Sequence, residues 1–412
     1  MNILKRAGIF RLVQISFFTI SIVADAANAP FNAAVEYIPE RSEIVLGEPL
    51  YVTFSVTNKG ANTFYLETGG DYRLAVRSGR FTFKAVDTNG VAAKDPNPDA
   101  FNYGGIVGYE EVKPHSAYFD KLFLPLWIQF DHAGRYHIHA ERPLQLYARS
   151  SPERDVAFTN SGTFDFYVTV LPANSNLLGK RIRELGEQTK SPAQAPYAAL
   201  ALAYIDDGRV TPYLLQVTET YKGGALYPAI EGLGRHPSGD STRGLIKMLN
   251  NPEYYNGQHE VIEALAKMKS PEAEVALRES LNSSDPFIRS TTAKFLGQMN
   301  DRDSVSTLKS HLTDTNFDVR LACAAALTHL GAFKNNLNSP AILAQILDTK
   351  NPSVTNRYNY VLFALIATSG GPDLPYNYDF FGRMTEGEIL ENRKALEAML
   401  HWANSSNTFP QH

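Results

Sequence analysis

A chain of 412 residues, at about 100–200 residues per domain, predicts two or three domains. Its content of 44% hydrophobic, 20% charged and 11% aromatic residues excludes a disordered chain and a multi-span membrane protein. A net charge of −4 offers no field for nucleic acid, and a single cysteine excludes an intrachain disulfide framework and a Cys-rich zinc module.

In chain order, Lys5, Arg6 and Arg11 precede an apolar run from Leu12 to Val23, and Ala24-Asp-Ala-Ala27 follows. Basic, apolar, then small is the order of a secretory signal peptide, expected over residues 1–26. The run is short for a bilayer-spanning helix, which needs about 20 apolar residues. Cleavage after Ala26 leaves 36 basic and 42 acidic residues, a net −6. The expected product has no stable membrane insertion and is periplasmic or secreted.

From residue 30 to 172 the apolar pattern has period two. Leu50, Val52, Phe54 and Val56 take one face of a strand, and Tyr51, Thr53, Ser55 and Thr57 the other. Arg80–Val86 and Phe164–Val170 repeat the alternation. Asn58-Lys-Gly60, Asp87-Thr-Asn-Gly90 and Ala133-Gly134 supply the turns. Strands with turns at short intervals predict an antiparallel sandwich. Asp131-His-Ala-Gly134-Arg-Tyr136 resembles the tyrosine corner of immunoglobulin-like domains. The inward position two places on, often cysteine there, is Ile138 here, so the resemblance implies a sandwich without the inter-sheet disulfide.

After Pro172 apolar residues recur at three and four, with Gly and Pro confined to short breaks, and helices are expected over 173–404 ahead of a tail at 405–412. Leu265, Leu296 and Leu327 fall 31 residues apart, as do Met268, Met299 and Leu330. Leu277 pairs with Leu308, Leu281 with Leu312 and Leu343, and Arg289 with Arg320. A period near thirty is that of an α-solenoid. Asp285-Pro-Phe-Ile-Arg289 and Asn316-Phe-Asp-Val-Arg320, with the apolar helices after them, resemble HEAT repeats. Asn351-Pro-Ser-Val354 begins a displaced unit, so an insertion is expected near Ala332 to Ser339. The final helix opens on the capping box Thr385-x-x-Glu388. The resemblance implies that Arg289 and Arg320 bond acidic or carbonyl groups of a neighbouring turn, offered by Asp285, Asp314 and Asp318.

Signatures of catalysis are weak. No nucleophile elbow or P-loop is present, and His259-Glu-Val-Ile-Glu263 has glutamate where a zincin needs its second histidine. His137 and His139, with His132 approaching from the turn, have the i, i+2 spacing to hold a zinc or copper ion, but an exposed strand face also favours solvated histidines. Cys323 lies in a run of small helix formers and reads as a buried apolar side chain. The chain is therefore expected to be non-catalytic and without cofactor. Stacked hairpins place every second helix on a concave surface, which the resemblance implies for a protein or peptide partner. That groove should be lined by His259, Glu263, Ser290 and Lys294, and in the next unit by Arg357 and Tyr358. The alternative is a cell-envelope glycan held by aromatic loops of the sandwich, at Phe101, Tyr103 and Tyr109. A second aromatic loop, Tyr376 to Phe381, is expected to pack against the solenoid end.

Overall fold

The computed structural model describes residues 31–70, 77–99, 105–148, 158–332, 357–368, 371–378 and 384–405. The expected signal peptide, Phe101, Tyr103, most of the expected insertion, the turn at Asn351–Val354, Phe380, Phe381 and the tail beyond Ser405 lie outside them. Two compact units divide the chain, Met1–Arg181 and Ile182–His412.

The first unit is built from strands β1 (Ala33–Pro39), β2 (Glu43–Val45), β3 (Tyr51–Asn58), β4 (Phe64–Gly69), β5 (Thr82–Asp87), β6 (Val107–Val112), β7 (Ala117–Phe123), β8 (Gly134–Glu141), β9 (Leu144–Tyr147), β10 (Phe158–Asn160) and β11 (Thr163–Leu171). They form three small sheets, in the orders β1-β3-β7, β10-β9-β4-β6 and β2-β11-β8-β5. Pairing is antiparallel except between β2 and β11, which run parallel, a departure from the wholly antiparallel arrangement expected.

Alternation explains the inner faces. In β5, Phe83 and Ala85 are buried while Thr82, Lys84 and Val86 are exposed. Strand β8 buries Tyr136, Ile138 and Ala140 in the same way. On β3 the rule is blurred, since Tyr51 and Ser55 are buried as well. Tyr37, Phe54, Phe81 and Phe83 interlock at ring-centroid distances of 5.0–6.4 Å. Among them lies a buried cation: the Arg142 guanidinium is 4.9 Å from the Phe54 ring and 5.0 Å from Phe81, and donates to the Glu67 carbonyl. The buried Tyr136 donates its hydroxyl to the His132 carbonyl at 3.0 Å, the bond that defines a tyrosine corner.

The first helix, α1 (Ser175–Gln188), begins in this unit, where Arg181 pairs with Glu48 at 3.3 Å, both side chains almost wholly buried. The second unit continues with α2 (Ala195–Ala203), α3 (Thr211–Thr220), α4 (Leu226–Arg235), α5 (Gly239–Leu249), α6 (Gln258–Met268), α7 (Pro271–Ser280), α8 (Pro286–Gln298), α9 (Val305–Ser310), α10 (Phe317–His329), α11 (Arg357–Thr368) and α12 (Glu386–Ser405). Caps set the starts. Asp285 accepts from the Phe287 N–H ahead of α8, with Pro286 at its first position. Asn316 accepts from Asp318 and Val319 ahead of α10. At α12, Thr385 and Glu388 exchange the two bonds of a capping box.

Every second helix stacks on the next in the order α2, α4, α6, α8, α10, α11. Leu265, Leu296 and Leu327, the repeating leucines, are wholly buried between these layers. Glycines bring the layers close: a Cβ at Gly297 would lie 2.8 Å from the Ala326 Cα, and one at Gly234 would lie 2.9 Å from the Ala264 Cα. Gly→Ala in a helix ordinarily gains about 1 kcal/mol. At Gly297 the neighbour is backbone and cannot yield, so Gly297→Ala should instead destabilise the chain by about 1–3 kcal/mol. Gly244→Ala meets only the flexible end of Leu215 and should be tolerated. Thermal unfolding followed by far-UV circular dichroism compares the two.

Candidate functional site

The second helices α6, α8, α10 and α11 line a cavity of about 650 Å³. Its shape follows from two faces of α10. Val319, Cys323 and Leu327 turn toward the core and are buried. Asp318, Leu321, Ala322, Ala325 and His329 recur at three and four and line the cavity from the other side. Small side chains at Ala322 and Ala325, together with Gly297, leave the volume that larger residues would fill.

His259 of α6 and Ser290, Lys294 and Gln298 of α8 complete the rim with Asp318 and His329. The His259 ring meets the Phe295 ring edge-on at 5.6 Å, and the exposed Lys294 ammonium lies 5.4 Å from that ring. Among the described residues no carboxylate forms an ion pair with Lys294. A groove with an apolar floor and charged groups at its lip can hold an extended chain and orient it by charge.

Glu263, expected on the groove, does not line the cavity. Its carboxylate pairs along its own helix with Lys267 at 2.7 Å and lies 4.0 Å from His259. Arg357 and Tyr358 open α11, but their side chains lie outside the described residues. Gln298, Asp318 and His329 were not picked out in the sequence as rim residues. The signal was present: Leu321 sits at the repeat position of His259 and Ser290, and His329 is two turns further along the same face.

Arg289 and Arg320 serve the repeat itself. Two Arg289 nitrogens each reach a different Asp314 oxygen at 2.8 Å, and the third donates to the carbonyls of Ser283 and Ser284. Arg320 donates to the Asp314 carbonyl and lies 4.1 Å from the Phe317 ring. Asp314 is thus the shared acceptor, and neither Asp285 nor Asp318 pairs with these arginines.

The two histidines of the metal alternative lie on β8. His137 and His139 do share the outer face, but both ring nitrogens address one Asp165 oxygen at 3.0 Å. His132, the expected third ligand, turns instead to Asp87 at 3.2 Å. Among the described residues no three His, Cys, Asp or Glu side chains are placed to hold a metal ion. Tyr109 is half-buried, donates to Glu67 at 3.2 Å and packs its ring on Tyr147. The free Cys323 thiol is wholly buried, and burial pushes its pKa up to about 12. Among the described residues no helix is long and apolar enough to cross a membrane.

Residues 242–328, from α5 to α10, match the family model for HEAT repeats. The chain carries HEAT repeats there. No curated protein matches the chain in sequence. Among solved structures, human deoxyhypusine hydroxylase in complex with glycerol is similar at a TM-score of 0.23 and 17% identity, over 46% of this chain and 84% of that one. An engineered protein is similar at a TM-score of 0.25 and 16% identity, over 56% of this chain and 93% of that one. At such scores neither likeness says what this chain does. The expectation of a non-catalytic chain is corrected: one of the structures similar to it is that of a hydroxylase.

The Arg289–Asp314 pair makes the repeat sensitive to acid. Burial alone would raise the Asp314 pKa, but the bonds and charge of Arg289, the Asn316 N–H and His311 outweigh it and hold the carboxyl below the usual range. A carboxyl depressed on folding stabilises above its unfolded pKa of about 4, and that contribution is lost as pH falls through the lower folded value. The chain should lose helical stability below about pH 4, and Asp314→Asn should flatten that limb while costing about 3 kcal/mol at neutral pH. Urea unfolding between about pH 3 and pH 7, followed by far-UV circular dichroism, reads both effects.

Proposed function

We propose that the chain is an exported binding protein whose HEAT repeats hold an extended segment of a protein partner in the cavity between α6, α8, α10 and α11. The observation that carries this reading is the cavity itself, about 650 Å³ with a floor of alanine and glycine and a rim that mixes Lys294, His259 and His329 with Asp318. Small floor residues admit a main chain, and the rim offers donors and charges to fix its direction. The β-rich unit is read as an immunoglobulin-like sandwich, supported by the tyrosine corner at Tyr136 and by Ile138 at the inward position two residues on.

Peptides selected from a random displayed library on the full chain test the cavity. Lys294→Glu should weaken the selected peptides at least about tenfold, some 1.4 kcal/mol, with an unchanged circular dichroism spectrum. Equal affinity of the folded variant for all of them sinks the reading.

Export rests on the basic, apolar and small order of residues 1–26. Protein isolated from its native cell should begin near Ala27, and N-terminal sequencing that finds Met1 retained would overturn this part.

A further inference from the structure

The cavity carries one acid and one ammonium, and they do not meet. Of the described residues lining it, Asp318 is the single carboxylate and Lys294 the single lysine or arginine. Among the described residues neither forms an ion pair, with the other or with a third group. Lys294 lies 5.4 Å from the Phe295 ring of its own helix, a contact that needs none of its three N–H donors. Asp318 stands in the first turn of α10, where the helix dipole favours an acid. That role accounts for the acid but not for an unanswered cation on the neighbouring helix.

Register gives the distance between the two charges. Helices α8 and α10 run in the same direction, since Gly297 meets Ala326 near their ends and Arg289 meets the turn at Asp314 near their starts. Ala326 follows Gly297 by 29 residues and the leucines repeat at 31, so Lys294 stands level with Cys323 to Ala325. Asp318 comes five to seven residues earlier on α10, about 8–10 Å along the axis at 1.5 Å per residue. With neighbouring axes about 8–10 Å apart, the two positions are separated by about 11–14 Å.

That separation selects the ligand. A free amino acid is too short to answer both charges. A helix with its side chains is about 10–12 Å across, too wide for the angle between helices about 8–10 Å apart. An extended chain advances about 3.3 Å per residue and returns to the same face at every second one. Four residues therefore cover about 13 Å and keep both ends on one face. The residue midway between them meets the floor of Ala322, Ala325 and Gly297, which leaves room for an apolar side chain.

We infer that the cavity selects an extended segment carrying a cation and an anion four residues apart, paired with Asp318 and Lys294, and an apolar residue midway between them. The inference rests on the reading of this cavity as a peptide site and adds the charge pattern that the site accepts. A segment with two like charges brings one of them against a like group on the rim, and the repulsion there rejects it.

Fluorescein-labelled Gly-Lys-Thr-Val-Thr-Glu-Gly tests it by fluorescence anisotropy on the full chain, its β-branched residues favouring the extended form. Saturable binding is expected, at least about tenfold tighter than for peptides with Lys or with Glu at both charged positions. Gly-Lys-Val-Glu-Gly, which shortens the step to two residues, should be weaker by the same factor. Asp318→Lys should turn the preference to the peptide with two Glu, and Lys294→Glu to the one with two Lys. If Asp318→Lys loses the helical spectrum, Asp318→Asn takes its place and should bring the parent and two-Glu peptides within about threefold of each other. Absence of saturable binding, equal binding of the charge variants, or an unchanged preference in the folded rim variants overturns the inference. Ala322→Phe, or Ala325→Leu if the ring unfolds the chain, fills the floor and separates that failure from failure of the cavity. If it blocks all the peptides while charge makes no difference, the cavity remains a peptide site and only the charge pattern falls. If it leaves a charge-selected peptide bound, the peptide lies elsewhere and both readings fall.

Discussion

The Arg289–Asp314 ion pair is the contact on which the helical unit depends. It spans 25 residues and joins α8 to the turn before α10, so it fixes the distance and phase between two successive repeats. Burying such charges is costly unless every donor and acceptor finds a partner. Here the guanidinium answers both carboxylate oxygens and two carbonyls of its own turn, and Arg320 takes the Asp314 carbonyl. Two turns that would otherwise bury unsatisfied carbonyls are thereby tied together, and the leucines between the helices follow in register.

That register decides where space is left. Helices held close by Gly297 and Ala326 bury their inner faces completely, as Leu296 and Leu327 show. The opposite face of α10 carries Ala322 and Ala325, too short to fill the angle between α8 and α11. Small residues thus permit tight stacking at Gly297 and Ala326 and leave a hollow beside Ala322 and Ala325. In the first unit the equivalent organising element is Arg142, a cation enclosed by aromatic faces and answered by the Glu67 carbonyl.

How much of this could be read from the sequence depends on the range of the interactions involved. Strand alternation in β5 and β8 was legible because one face of each is buried and the other wet. The tyrosine corner at Tyr136 and the capping box at Thr385 were legible because their partners lie three or four residues away. The division into three sheets was not, since the parallel pairing of β2 with β11 joins Ile44 to Val170 and leaves no local trace. In the helical unit the 31-residue phase placed His259, Ser290 and Leu321 on one face, and all three line the cavity. Glu263 shared that phase argument but is drawn to Lys267, a choice between neighbours that periodicity does not make. His132 likewise has Asp87 within reach, 45 residues away at the end of β5, which the spacing of the histidines could not reveal.

The buried state of Cys323 has a practical side. A thiol with no exposed surface and a pKa near 12 presents almost no thiolate to a maleimide at neutral pH. As the single cysteine among 412 residues, it leaves the folded chain chemically silent toward thiol reagents. Any cysteine introduced on the surface becomes the sole labelling position without first removing the native one. Lys294→Cys would place a fluorophore or spin label on the rim of the cavity. Occupancy of the cavity could then be followed in otherwise unmodified protein.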